Sequence, residues 1–486
     1  MEDTKQSVFS NMIWRFAERC GAQIVQFIVS IVLARILAPE AYGIIALVTV
    51  FTTILQVFVD SGLGNALIQK KDADDLDFST VFYTNIVICL VLYIGIFIAS
   101  PTIARFYDDL NLIPVIRVLS LTLVISGVKN VQQAYVSKKM IFKKFFFATL
   151  LGTIGAAFLG VIMAINGMGV WALVAQQLFN LSLDTIILWI TVKWRPKLCF
   201  SFKRLKKLFS FGWKLLVSSL IDTVYNNVRQ LLIGKLYSSA DLAYYNRGKQ
   251  FPNLIVQNIN NSIDSVLLPT MSQEQDNKEK VKNMTRKAIK TSVFIMAPLM
   301  MGLAFTSKNV VTLILTEKWL ECVPYLCIFC ITYMFYPIHS ANLNAINAMG
   351  RSDLFLKLEI IKKIVGIVLL LVTIKINVLA MALSLLVSSV ISQIINSWPN
   401  KKLLGYSYID QLKDILPSIM LAIFMGVVVY IIGFIKLPTI LSLILQIIVG
   451  IIVYIVGVKI LKIDTYEYLI SVIKGYLKKD VTNIYN

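Results

Sequence analysis

The chain has 486 residues, 57% of them hydrophobic, and a formal net charge of +20. This apolar share exceeds that of a typical soluble domain, and the long apolar runs leave no soluble catalytic domain of folding size between them. The charge does not indicate a nucleic-acid partner, because the lysines and arginines cluster in alternate loops, which is the positive-inside pattern of a membrane protein.

About fourteen apolar runs are long enough to cross a bilayer as helices, which takes about 20 residues each. Every span should be helical, because the bilayer offers its backbone no hydrogen-bond partner. We therefore expect an all-α integral membrane protein with about 14 transmembrane helices and both termini in the cytoplasm. The predicted spans are centred near Val25, Thr52, Val91, Val124, Ala156, Gln177, Ile221, Val256, Met296, Thr332, Val365, Leu385, Ile423 and Ile448.

Polar residues recur at steps of three and four along several of these runs, which places them on one helical face. Asp222, Tyr225, Asn226 and Arg229 form such a stripe in the seventh run. Because intramembrane charge is costly, a stripe of this kind predicts a protein interior or a water-filled cavity. Two alternatives stay open: the amides and hydroxyls can join neighbouring helices, and Arg229 can be a structural partner of Asp222.

The stripes predict a cavity for a ligand with both phosphate and hydroxyl groups, since guanidinium and ammonium groups bind phosphate oxygens and amides match sugar hydroxyls. The carboxylates on the stripes are candidates for ion coupling. Arg15 and Arg19 are alternatively topology anchors at the cytoplasmic boundary. The candidate substrate contacts are Arg15, Arg19, Gln26, Gln56, Lys129, Asn130, Asn180, Lys214, Asp222, Asn226, Arg229, Asn253, Gln257 and Asn261, and the candidate ion-coupling residues are Asp60, Asp184 and Asp264.

No catalytic or metal-binding constellation is present in the sequence. His339 is the only histidine, which excludes a histidine-dependent relay or a multi-histidine metal site. The pair Cys327 and Cys330 has metal-like spacing but lacks a second pair. There is also no phosphate-cradling Gly-Lys-Ser/Thr motif. We expect a protein that is not an enzyme and that carries no cofactor or metal.

A weak internal repeat divides the chain. The turn at residues 37–43 (Leu-Ala-Pro-Glu-Ala-Tyr-Gly) is similar to the turn at residues 239–245 (Ser-Ala-Asp-Leu-Ala-Tyr-Tyr), and a basic segment lies between them. Internal repeats of this kind are typical of secondary transporters. The predicted domains are an N-lobe of helices 1–6 (1–192), a basic cytoplasmic linker (193–210), a C-lobe of helices 7–12 (211–398), and two additional helices with a cytoplasmic tail (399–486).

Four segments resemble those of a known family. Residues 33–43 (Leu-Ala-Arg-Ile-Leu-Ala-Pro-Glu-Ala-Tyr-Gly) resemble the first-loop signature of polysaccharide flippases in the multidrug/oligosaccharidyl-lipid/polysaccharide exporter superfamily. Residues 60–71 resemble the colanic-acid-type branch of oligosaccharide flippases, and residues 268–273 and 317–319 agree with it. The resemblance covers spans one to twelve and is strongest in the first 80 residues. Because these motifs lie mainly at helix ends, they do not transfer a substrate site.

The resemblance implies two six-helix bundles that alternate access across the inner membrane of a bacterium. The implied cargo is an undecaprenyl-diphosphate-linked oligosaccharide, which is moved from the cytoplasmic to the periplasmic leaflet. Membrane lipid is a second expected partner. A coupling ion, H⁺ or Na⁺, and a polysaccharide polymerase are further expected partners. Two alternatives remain: a drug or cation antiporter of the same superfamily, which would need buried carboxylates, and a flippase for the peptidoglycan precursor, which would need more arginine in the N-lobe.

Overall fold

The computed structural model describes residues 21–60, 62–141, 143–471 and 474, and their regular structure is entirely helical. This confirms the predicted all-α class. The helices are α1 (Gly21–Ile36), α2 (Pro39–Asp60), α3 (Leu63–Gln69), α4 (Asp75–Phe106), α5 (Leu112–Leu119), α6 (Leu121–Lys139), α7 (Lys143–Ile165), α8 (Val170–Thr191), α9 (Phe202–Leu236), α10 (Ser239–Gln273), α11 (Lys278–Ile314), a 3-10 helix (Glu317–Cys322), α12 (Val323–Met334), α13 (Tyr336–Ala348), α14 (Ser352–Thr373), α15 (Val378–Leu404), α16 (Tyr408–Ile432) and α17 (Thr439–Ile460).

Among the described residues, ten helical segments are long and apolar enough to cross a bilayer, so this is a multi-pass membrane protein. Each predicted span centre lies inside a helix. The centres in α1, α9, α10 and α14 fall outside the ten segments, because α1 is described over too few residues and the other three helices are less apolar or carry more charged residues. The count of fourteen and the cytoplasmic placement of both termini stay predictions.

The chain divides into two compact units, Met1–Ala243 and Tyr244–Asn486. In the first unit α9 packs against α2, α3 and α4. The predicted lobes would instead group α9 with the helices that follow it, and that division by the internal repeat stays a prediction.

The basic segment before α9 is held against the first unit. Trp194 is buried against Phe78 and Tyr135, with ring centroids 5.7 and 6.2 Å apart. Arg204, in the first turn of α9, donates a hydrogen bond of 2.5 Å to the carboxylate of Asp74, the N-cap of α4. This hydrogen bond lowers the pKa of Asp74 to about 2. The segment therefore fixes where α9 starts relative to α4.

Gly43 of the first repeated turn lies against Ser239 of the second, and both residues belong to the first unit. Gly43, the fifth residue of α2, approaches the backbone of Ser239 so closely that a Cβ atom built on Gly43 would lie 1.7 Å from the Ser239 carbonyl oxygen. Small residues permit such close backbone approach between membrane helices. At the other end of α9, a Cβ on Gly212 would lie 2.8 Å from the backbone of Gly62.

We expect Gly43→Ala to destabilise the protein by about 1–3 kcal/mol, because the added methyl group forces two helix backbones apart. The matched control is Gly95→Ala in α4, where nothing lies within 4 Å of the added Cβ. Thermal unfolding of both variants in detergent checks this. Equal melting temperatures for the two variants would contradict the close packing of α2 against the backbone of Ser239.

In the second unit, α13 carries a polar network in its buried face. Asn342 donates to Gln411 Oε1 at 2.8 Å and to Ser397 Oγ at 3.2 Å, and it accepts from Asn400 Nδ2 at 2.7 Å. The two ring nitrogens of His339 lie 3.1 Å from Asn396 and 3.3 Å from Ser389. These bonds join α13 to α15 and α16, and they make His339 an interior histidine with both ring nitrogens satisfied.

Candidate functional site

Helices α2, α6 and α9 line an open cavity of about 300 Å³ in the first unit. Most of its lining residues carry a hydroxyl group, and the others are a glutamine, an aspartate and a valine. The lining residues are Thr52, Thr53, Gln56, Val57 and Asp60 from α2, Thr122 from α6, and Ser219 and Thr223 from α9. The spacing of Thr52, Thr53, Gln56 and Asp60 along α2 follows the helical period, which is why one face of α2 supplies most of the wall.

Asp60 is held in place by two amides. Gln56 Nε2 donates to Asp60 Oδ1 at 2.9 Å, and Asn130 Nδ2 donates to the same oxygen at 3.0 Å. The Asn130 amide also donates to the carbonyl of Val59 at 3.3 Å. A Cβ atom on Gly64 would lie 2.7 Å from Asn130 Oδ1, so glycine at that position leaves room for the amide. Three predicted site residues, Gln56, Asp60 and Asn130, thus come together at the cavity.

Lys129 and Asp184, two further predicted residues, form an ion pair between α6 and α8. Their side chains are 13% and 9% exposed, and Asp184 Oδ1 accepts no hydrogen bond from the described residues. Lys129 is also close enough to Asp60 to interact with it electrostatically. Asn180 lies one turn before Asp184 on α8. It packs against α7, where a Cβ atom built on Gly152 would lie 3.1 Å from Asn180 Oδ1. The pair therefore lies beside the cavity and links it to the α7–α8 hairpin.

The seventh-run stripe lies on one helix, α9, as predicted, but its members differ in exposure. Asp222 and Asn226 are exposed, whereas Arg229 is buried with 8% of its surface exposed. Lys214, nearer the start of α9, is exposed. Two other residues of the same helix, Ser219 and Thr223, line the cavity, and neither was among the predicted site residues.

The remaining candidates in the described part of the chain do not line this cavity. Gln26 is exposed on α1. Asn253 and Gln257 lie on α10 in the second unit, where Asn253 is partly buried and Gln257 is exposed. Asp264, also on α10, accepts hydrogen bonds from Ser340 and, at 2.8 Å, from Asn344. Outside the described residues lie Arg15 and Arg19, and also the side chain of Asn261.

The cavity suits a hydroxyl-rich ligand or a small cation. Threonine and serine hydroxyls donate and accept hydrogen bonds, as sugar hydroxyls do, and the Asp60 carboxylate supplies negative charge. In the described part of the chain no group of three or more histidine, cysteine or acidic side chains could hold a metal ion. Sequence reasoning did not select Thr122, Ser219 or Thr223 because isolated hydroxyls in membrane helices also bond to their own helix, as Thr122 does to the Leu119 carbonyl at 2.7 Å.

Residues 32–324, more than half of the chain, match a family described as "Polysaccharide biosynthesis protein". The chain is 28% identical over 309 residues to the teichuronic acid biosynthesis protein TuaB of Bacillus subtilis (strain 168), covering 62% of this chain and 63% of TuaB. It is 24% identical over 417 residues to the lipopolysaccharide biosynthesis protein WzxC of Escherichia coli (strain K12), covering 82% of this chain and 83% of WzxC. The match thus spans somewhat less than two thirds of TuaB.

Two kinds of solved structure share the fold. The lipid II flippase MurJ in an inward closed conformation has a TM-score of 0.76 at 16% identity, covering 94% of this chain and 100% of the MurJ chain. An inward-facing MATE family multidrug transporter of the MOP superfamily has a TM-score of 0.61 at 16% identity, covering 79% of this chain and 96% of that chain. At such identities the likeness concerns the fold alone. The chain belongs to the polysaccharide biosynthesis protein family and shares the fold of these two solved structures.

Proposed function

We propose that the protein moves an oligosaccharide linked to undecaprenyl diphosphate from the cytoplasmic to the periplasmic leaflet of a bacterial inner membrane. The relatives TuaB and WzxC are named for the biosynthesis of teichuronic acid and of lipopolysaccharide, which supports a saccharide cargo. The observation that carries the proposal is the cavity lined by Thr52, Thr53 and Gln56. Its hydroxyl and amide groups offer a sugar the donors and acceptors that it loses on leaving water.

Movement by alternating access needs an energy source, and we assign that role to an ion gradient. Asp60 is the carboxylate among the cavity-lining residues, so a proton or Na⁺ bound there would share the cavity with the sugar. Competition or cooperation between the two ligands would couple the gradient to the cargo. Delivery to the periplasmic leaflet would supply a polysaccharide polymerase.

The proposal includes fourteen membrane helices with both termini in the cytoplasm, and reporter fusions test this topology. Asn166 lies exposed in the turn between α7 and α8, and the basic segment 203–207 lies at the start of α9. A reporter fused after Asn166 is expected to read periplasmic and one fused within 203–207 cytoplasmic, because basic loops stay inside. The reverse pair of readings would overturn the topology.

Deletion of the gene tests the function in cells. We expect intact lipid-linked oligosaccharides to accumulate and, in spheroplasts, to stay shielded from a glycosidase added outside. Complementation with the wild-type gene should restore exposure. Normal levels and normal exposure in the deletion strain would refute a flippase function and favour the drug-antiporter alternative.

A further inference from the structure

A second cavity in the first unit contains an arginine whose role the transport site does not explain. The cavity has a volume of about 490 Å³ and lies between α4 and the short helix α5. Its wall is largely apolar and aromatic. The lining residues are Tyr93, Phe97, Ile113, Pro114, Arg117, Val118 and Leu121.

The guanidinium of Arg117 is oriented by two contacts on one side. Its Nε donates to Ser100 Oγ at 2.9 Å, and its central carbon lies 4.1 Å from the centre of the Phe97 ring. Ser100 is itself buried and donates to the Phe97 carbonyl at 2.8 Å. The two terminal amino groups of Arg117 make no hydrogen bond to the described residues. They form a fork that matches two oxygens of one phosphate group.

Arg117 has no acidic partner among the described residues. The carboxylates at the same end of the helices are engaged elsewhere: Asp108 pairs with Lys235 at 2.7 Å, and Asp109 accepts from the backbone of Asn111 at 2.9 Å. By contrast, Lys129 forms an ion pair with the carboxylate of Asp184. A cation within a membrane span without a counter-ion is costly, which favours an anionic ligand at this position.

The depth of Arg117 fits a lipid phosphate. Arg117 lies five residues after the start of α5, about 8 Å along the helix axis from that end. The opposite end of α4 carries the basic contacts, including Arg204 on Asp74. By the positive-inside rule that basic end faces the cytoplasm, so Arg117 lies near the headgroup boundary of the outer leaflet.

We propose that this groove binds the phosphodiester of an outer-leaflet glycerophospholipid, with the guanidinium of Arg117 on the phosphate and an acyl chain along Tyr93, Phe97 and Val118. The described groove supplies one cation and neither carboxamide nor carboxylate side chains. One cation matches the single negative charge of a phosphodiester, whereas a sugar diphosphate would require more cations and polar groups.

Native mass spectrometry of the delipidated full-length protein, titrated with dioleoylphosphatidylglycerol, tests the site. Arg117→Gln is expected to remove one bound lipid or to weaken its binding by about tenfold, because a charge-assisted hydrogen bond is lost. Arg105→Gln is the matched control, since Arg105 is exposed in the last turn of α4 and does not line the groove. The effect should disappear when dioleoylglycerol, which lacks the phosphate, replaces the phospholipid.

Ser100→Ala separates ligand binding from helix packing, because it removes the internal contact of Arg117 and keeps its charge. Lipid binding that persists in Ser100→Ala and falls in Arg117→Gln supports the site. Equal binding by Arg117→Gln and the wild type would overturn it and leave Arg117 as a clamp between α4 and α5. If undecaprenyl phosphate occupies the site in preference to phosphatidylglycerol, the assignment to a glycerophospholipid is wrong and the groove belongs to the path of the carrier lipid.

Discussion

Replacing Asp60 with asparagine is expected to reduce polysaccharide export at least about tenfold while the protein stays in the membrane at normal abundance. The substitution keeps the size of the side chain but removes the carboxylate from the cavity wall. The amides of Gln56 and Asn130, which both donate to Asp60 Oδ1, can still donate to the new amide oxygen. The variant thus tests the charge rather than the packing. Export is measured as surface polysaccharide, and abundance by immunoblot of membranes.

Asp72→Asn serves as the control, because Asp72 is exposed in the turn between α3 and α4 of the same unit and lies outside the cavity. It makes the same chemical change and should export normally. Full export by a well-expressed Asp60→Asn variant would contradict the assignment of Asp60 to ion coupling, and the cavity would then have to bind its cargo through neutral groups alone.

Breaking the ion pair between Lys129 and Asp184 is expected to produce the largest loss of stability. Removing either partner leaves the other charge poorly solvated between α6 and α8, a change that destabilises proteins by about 3–5 kcal/mol. Asp184→Ala and Lys129→Ala should therefore both lower the melting temperature of the protein in detergent. The paired variant Lys129→Met with Asp184→Leu should recover most of that loss, because no unpaired charge remains.

Measuring export with the same variants separates a role of these two charges in stability from a role in transport. Recovery of stability without recovery of export would show that the charges are needed in transport. A double variant as unstable as the single variants would contradict the ion pair as the source of the loss. Lys362→Met is a control for the loss of a partly buried lysine, since Lys362 pairs with Glu359 on its own helix.

The positions of the helices could be predicted from sequence because an apolar run of membrane length is a local property. The interruptions were not predicted. The helix breaks at Ser120, between α5 and α6, and at Phe335, between α12 and α13, although both residues lie inside predicted spans. Pro337, in the first turn of α13, is a sequence signal for the second break, whereas the break at Ser120 depends on the packing of α5 and α6, which a single sequence does not reveal.

The site was predictable in its residue types more than in its contacts. Periodicity placed Gln56 and Asp60 on one face of α2, and the structure brings Asn130 to the same carboxylate. The pairing of Lys129 with Asp184 depends on how α6 packs against α8, which the pattern along either helix does not specify. Arg117 was missed because apolar residues surround it in sequence, so it belongs to no polar stripe.

Translocation by the purified protein in liposomes tests the central claim most directly. Undecaprenyl-diphosphate-linked oligosaccharide would be placed in both leaflets, an ion gradient of H⁺ or Na⁺ imposed, and a glycosidase added outside. With the wild-type protein we expect the glycosidase to digest more oligosaccharide than the outer leaflet held at the start. With Asp60→Asn we expect it to digest only the oligosaccharide that was in the outer leaflet. Digestion that stops at the outer leaflet with correctly inserted wild-type protein, under either gradient, would contradict the proposed flippase function.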